Sequence, residues 1–476
     1  MKSSMRCGIL LLFLSYITLN AGAAIRLPAI ITDSMVLQQR SEAPVWGWAS
    51  PGEAVSVEGS WAKGSPVSTK ADEQGKWMVK LKTPAAGGPY TLTIRGEQTL
   101  VLHDIMIGEV WVCSGQSNME MPVSGWKGAP LLNSEQEIAA ANYPNIRLFT
   151  VKKAIATDPQ EDCSGSWSAC SPQTVAGFSA AAYFFGRQLY QKLHVPIGLI
   201  HTSWGGTVAE AWTSSDALRT LGDFNAALDQ QDSLRKMSAA APKDPNHPSL
   251  LYNGMIAPIV PFGIKGAIWY QGESNVGRAA QYEKLFPTMI TDWRNRWKEG
   301  NFPFYFVQIA PYKYGGDGIK SAALRDAQRK SLGVPNTGMV VTLDIATPDN
   351  IHPANKEEVG RRLALWALAR TYGQKGIVYS GPLYKKLQVK GNRAILSFDY
   401  AKDGLNTKGG PLSGFELAGA DGNFVPAEAA VKGNKVVVRA ATVSHPTAVR
   451  YDWTDTSTAH LFNKAGLPAS SFTAAL

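Results

Sequence analysis

The sequence predicts an α/β protein: a parallel sheet between two layers of helix, flanked by a β-sandwich module at each end. Three observations carry this. The hydrophobic texture changes at Ile105 and again after about Gly376; strand-like and helix-like segments alternate between those points; and outside them short alternating runs are separated by Pro and Gly turns. With 476 residues, 45% hydrophobic and 18% charged, the composition is that of an ordinary globular chain long enough for two or three domains.

Residues 1–24 carry Lys2 and Arg6, then an apolar run from Gly8 to Leu19, then small residues. This is the layout of a secretory leader cleaved near Ala23 or Ala24, and the run is shorter than the ~20 residues of a membrane span. The expected product is secreted or periplasmic, with no membrane anchor. Cys7 stands at the front of the apolar run, away from the cleavage point, which argues against lipid attachment there.

Residues 25–104 form the first β-sandwich. Runs such as Lys76-Trp-Met-Val-Lys-Leu-Lys82 and Tyr90-Thr-Leu-Thr-Ile-Arg95 alternate with period two, as half-buried antiparallel strands do. Residues 105–376 form the α/β domain. Val110-Trp-Val-Cys113 is a continuous apolar run, as expected of a strand buried on both faces. Strands are then expected over 197–201, 266–270, 304–309 and 339–343, and helices over 178–193, 282–297, 322–332 and 356–372. In the second helix Tyr282, Leu285, Phe286, Met289, Ile290, Trp293 and Trp297 repeat at three and four, and Asn355 with Glu358 can cap the last. Residues 377–476 return to alternating runs, such as Lys435-Val-Val-Val-Arg439. Their aromatic tail, from Arg450 to Phe472, is placed to fold back on the α/β domain.

The formal charge of +9 falls to about +7 without Lys2 and Arg6. The basic residues are scattered and no nucleic-acid motif occurs, so the charge reads as a solvated surface. An acidic sugar remains compatible with it as ligand. Of the three cysteines beyond the leader, Cys163 and Cys170 are close enough in sequence to bridge, and Cys113 sits in an apolar strand as a core thiol.

The chemistry gathers at strand ends, where open parallel sheets place their sites. Gly115-Gln-Ser-Asn-Met119 follows the Val110 run directly and exposes the Ser117 hydroxyl. A serine nucleophile needs a base within hydrogen-bond reach, a group to orient that base, and donors for the oxyanion. Asp349-Asn-Ile-His352 supplies a base in His352, and its three-residue offset can bring Asp349 to the imidazole. Ser203-Trp-Gly-Gly-Thr207 and Trp269-Tyr-Gln-Gly-Glu-Ser-Asn275 follow two further strands. The amides of Ser117 and of Gly205 or Gly206, with the Gln271 side chain, can bind the oxyanion. Glu273 is a second candidate for orienter or triad acid. Trp204, Trp212 and Trp269 are candidate flat faces for a ring, set against the ordinary role of tryptophan in a core.

The four blocks in this order, GQSN, SWGG, WYQGES and DNIH, resemble those of the SGNH hydrolase superfamily, in particular its sialate O-acetylesterase branch. Val36-Leu-Gln-Gln39 and Leu251-Tyr-Asn-Gly-Met-Ile-Ala-Pro258 resemble the same branch, so the likeness covers most of the chain. It implies the flavodoxin-like three-layer sandwich of that superfamily and a Ser117, His352, Asp349 triad working through an acetyl-enzyme. It also implies no metal or organic cofactor and an acetylated carbohydrate as substrate. Where the superfamily usually offers an asparagine to the oxyanion, this chain has Gln271, with Glu273 two residues on, a departure similar to plant-cell-wall acetylxylan esterases. Substrate contacts are expected from Gln116, Asn118, Trp204 and Trp269. Sialic acids and plant polysaccharides such as xylan and xyloglucan are both expected substrates. Two other classes compete: a secreted carbohydrate-binding protein with a decayed esterase fold, against which the full set of chemical groups argues, and a lipase or thioesterase, which would need a broad apolar cleft.

Overall fold

The structure is a computed structural model that describes residues 24–237, 242–315 and 318–476. The leader expected over residues 1–24 lies, apart from Ala24, outside the described residues. None of the described helices is long and apolar enough to cross a membrane.

The chain is a mixed α/β protein with a central, mostly parallel sheet and further antiparallel sheets. Seven strands make up the central sheet: β1 (Thr99–Gly115), β2 (Tyr143–Thr150), β3 (Trp167–Cys170), β4 (Ile197–Ser203), β5 (Gly266–Tyr270), β6 (Phe304–Val307) and β7 (Thr337–Val340). They lie in the order β7-β6-β5-β1-β4-β2-β3, all parallel except the edge strand β3. β2 and β3 go unread in the sequence, β2 because Pro144 and Asn145 interrupt its apolar run.

The change of texture at Ile105 falls inside one strand. The first six residues of the 17-residue β1 alternate between exposed and half-buried, and the last eleven are all buried. Its first part pairs antiparallel with Gly87–Arg95 of the N-terminal sheet, and its last part pairs with β4 and β5. Asp104 stands at the change of partner with a positive φ of 58°, its carboxylate bonded by Arg147 and by the Ser34 hydroxyl.

Helices cover both faces. The helices α1 (Ala180–Leu193) and α4 (Lys356–Trp366) pack on one face with Trp111, Cys113, Ile268 and Tyr270. On the other face lie α2 (Ala279–Trp297) and α3 (Lys320–Lys330), against Val112, Ile200, Trp269 and Phe306. That second core continues without a break into Val45, Trp46, Trp77 and Val79 of the N-terminal sheet.

Two four-stranded antiparallel sheets enclose the C-terminal core around Leu396, Leu417, Val438 and Phe472. The tail reaches the α/β region through polar contacts. The fully buried Arg325 of α3 donates to the Ser471 hydroxyl at 3.0 Å and to the Thr454 carbonyl at 2.6 Å, and Gln308 donates to the Ser470 hydroxyl at 2.7 Å. All three described cysteines are free. Cys163 and Cys170 are therefore not bridged; Cys170 is buried at the end of β3, with Ala141 O its hydrogen-bond acceptor.

Candidate active site

Parallel register sets Ser203 of β4 and Tyr270 of β5 both opposite Gly115 of β1, so three of the four sequence blocks leave the sheet side by side. Two cross-links fasten them: Trp204 N donates to Gly115 O at 3.1 Å, and Gln116 N donates to Tyr270 O at 3.0 Å. Gly115 has to be glycine. Its φ is +145°, and a Cβ there would stand 2.1 Å from the Tyr270 carbonyl oxygen. This crowded exit turns the chain so that Ser117 opens the short helix Ser117–Glu120 at the carboxyl edge of the sheet.

His352 arrives from the loop between β7 and α4. Its Nε2 is 3.0 Å from the Ser117 hydroxyl, a hydrogen bond between two half-buried residues 235 positions apart. The Asn350 side chain accepts from the His352 backbone amide at 2.9 Å, and the Trp126 ring packs T-shaped against the imidazole at a centroid distance of 5.1 Å. Burial first, and the nearby Lys356 ammonium second, hold His352 below the ordinary histidine range. It is therefore neutral, and able to accept a proton, across neutral pH.

The other expected site residues divide. Asp349 is exposed and its carboxylate is ion-paired with Lys313; among the described residues no hydrogen bond joins it to His352. Glu273 does not reach the imidazole either. It is buried and its Oε1 accepts from Asn118 Nδ2 at 2.6 Å.

Gln271 is fully buried. Its amide donates to Thr207 O at 3.1 Å and to Asn275 Oδ1 at 2.6 Å, so both hydrogens expected to serve the oxyanion brace the wall of the site instead. The Gly205 amide donates to the Glu120 carboxylate. Neither the Ser117 nor the Gly206 amide has an acceptor among the described residues.

Of the four expected substrate contacts, three turn inward and one stays at the surface. Gln116 is buried and its Oε1 accepts from the Gly272 and Ser274 amides at 3.2 and 3.3 Å, knitting two blocks together. Asn118 is buried with its amide group wholly engaged inside the protein. Trp269 is fully buried, stacked on Phe286 and edge-on to Trp212 and Trp293, because the pleat of β5 turns it into the core. Trp204 stays half-exposed at the rim, with Lys153 over its ring at 5.3 Å. Trp126, against His352, is missed by the sequence reading; its signal is a tryptophan set between glycines, Gly125-Trp126-Lys127-Gly128, just after Gly115-Gln-Ser-Asn-Met119.

A hydroxyl held against a neutral, half-buried imidazole at the edge of a parallel sheet is the equipment of an ester hydrolase. The chain belongs to the carbohydrate esterase family of sialic acid-specific acetylesterases, whose sequence model matches residues 107–369. The sialate O-acetylesterase of Homo sapiens is 32% identical over 493 residues, covering 94% of this chain and 91% of that protein. That of Mus musculus is 32% identical over 451 residues, covering 83% and 82%. The crystal structure of a carbohydrate acetylesterase from Xanthomonas citri is 39% identical and superposes with a TM-score of 0.85, covering 94% of this chain and 99% of that one. The protein is a carbohydrate O-acetylesterase.

Proposed function

We propose that Ser117 is the nucleophile and His352 the general base and acid of a double-displacement reaction that removes O-acetyl groups from sialic acids. The observation that carries the mechanism is the 3.0 Å contact between Ser117 Oγ and His352 Nε2. His352 takes the hydroxyl proton as Ser117 Oγ attacks the acetyl carbon. The tetrahedral oxyanion rests on the unengaged Ser117 and Gly206 amides, and collapse expels the sugar oxygen, which receives the proton from His352. Water, activated by the same imidazole, then frees acetate from Ser117. Asp349 becomes the orienter of this reading once it exchanges Lys313 for the imidazolium that forms during attack; Glu273 has its place in the wall.

The sialate substrate is supported by the names of the curated relatives and by Lys153, an exposed cation beside Trp204 that Glu120 also pairs with at 2.6 Å. A carboxylate on the sugar suits that corner. The same reading takes residues 1–24 as a cleaved leader of a secreted or periplasmic enzyme, residues 25–104 and 377–476 as β modules, and residues 105–376 as a three-layer SGNH-type catalytic domain. The test is mass spectrometry of enzyme quenched during turnover of O-acetylated sialoglycan and, in parallel, of acetylated xylan. An acetyl group on the Ser117 peptide, with faster turnover of sialoglycan, supports the whole reading. Faster turnover of xylan keeps the mechanism and replaces the substrate, and an acetylated residue other than Ser117 overturns the mechanism.

A further inference from the structure

Beneath the two reacting groups lies a buried polar chain that the reaction does not itself require. Lys356, the first residue of α4, is fully buried, and its ammonium donates to Pro353 O at 2.7 Å and to Asn118 Oδ1 at 2.8 Å. The ring of Tyr270 lies 5.6 Å from the same nitrogen. Asn118 in turn donates through Nδ2 to Ile351 O at 2.9 Å and to Glu273 Oε1 at 2.6 Å. Ile351 and Pro353 are the two chain neighbours of His352, and Asn118 is the chain neighbour of Ser117.

We propose that Lys356 and Asn118 form a clamp that positions the base, gripping the carbonyls on either side of His352 and tying that loop to the residue after the nucleophile. The clamp rests on the reading of Ser117 and His352 as nucleophile and base. Neither residue of the clamp touches substrate; both act through the placement of His352. A fully buried lysine needs such partners, because an ammonium removed from water is strongly disfavoured unless it is hydrogen-bonded and faced by a carboxylate. Glu273 is that carboxylate, one residue removed through Asn118. Burial draws the Lys356 ammonium down to about 7, opposed by Glu273, and pushes the Glu273 carboxyl up. Besides Lys356, His352 is faced by the Ser117 hydroxyl and the Trp126 ring, while the Asp349 carboxylate on its own loop is turned to Lys313.

The clamp has two readouts that a merely structural lysine would lack. In Lys356→Met the Pro353 carbonyl loses its donor, and a base misplaced by about 1 Å lowers kcat on the order of 10²-fold with KM little changed. Loss of the neighbouring positive charge also moves the acid limb of the kcat/KM profile to higher pH. The experiment measures kcat per active site, counted by stoichiometric labelling with an organophosphorus serine reagent, in the full-length enzyme, Lys356→Met, and the double variant Lys356→Met with Glu273→Gln. The double variant removes both buried charges together and so carries the kcat test should the single one fail to fold; it retains the kcat loss because methionine donates no hydrogen bond. Reduced kcat per labelled site in either variant, with the shifted limb in the single one, supports the clamp. Parent kcat per labelled site and an unmoved profile overturn it. Ser117→Ala and His352→Ala run alongside: activity in these defeats the reading of the site, whereas their inactivity beside unaffected Lys356 variants defeats the clamp alone.

Discussion

Gly360→Ala should both loosen the fold and slow the reaction, although alanine is ordinarily the better helix residue. Gly360 lies one turn after Lys356 in α4 and faces α1. A Cβ built there stands 2.5 Å from Phe184 Cβ and 2.6 Å from Phe185 N, where ordinary contact begins at 3.4 Å. The two helices have to separate by roughly 1 Å to restore contact at normal van der Waals distance. Overpacking of this kind costs about 1–3 kcal/mol, against about 1 kcal/mol gained by alanine over glycine within a helix. The net is a loss of up to about 2 kcal/mol. The displacement is carried along α4 to Lys356 and, through the Pro353 carbonyl, to His352, where a 1 Å error is worth on the order of 10² in kcat. Thermal unfolding and acetate release on the same preparation check both. A higher melting temperature with parent kcat would refute the packing argument and its link to the base together.

Other outcomes follow from the same structure. Because burial and Lys356 lower the pKa of His352, its neutral form persists to lower pH than in a free histidine, so kcat/KM should be flat across neutral pH and fall tenfold per unit only below the ordinary value of ~6.5. An acid limb at or above that value in the pH profile contradicts the assignment. Arg325→Met should destabilise the protein by about 3–5 kcal/mol, since it strips donors from the Asp452 and Thr454 carbonyls and the Ser321 and Ser471 hydroxyls in a buried setting. Urea unfolding reads the loss, and limited proteolysis reads release of the tail; an unchanged midpoint with a protected tail counts against that account.

The parts legible in the sequence are those where burial leaves a one-dimensional mark. Residues 110–113 of β1, 197–200 of β4 and the whole of β5 are buried and read as apolar runs, and α2 shows its buried stripe at three and four. Strand ends follow from strands, so the blocks carrying Ser117 and His352 meet at the carboxyl edge of the sheet. Side-chain direction beyond the strand ends leaves no such mark. Gln116, Asn118 and Gln271 sit in the right blocks yet turn inward, because a buried loop must satisfy its own amides before it can offer donors to a ligand. The Asp349 offset from His352 permits a contact, but Lys313, 36 residues away in the chain, takes the carboxylate. Lys356 carries no mark of its burial in the sequence; the contacts of its ammonium with Pro353, Asn118 and the Tyr270 ring appear only in the structure.

The most direct test of the account is acetate release from O-acetylated sialoglycan by the full-length enzyme and by Ser117→Ala at matched folded concentration. The account predicts release by the parent and a fall on the order of 10⁴–10⁶-fold in the variant. Release by Ser117→Ala at the parent rate would contradict it.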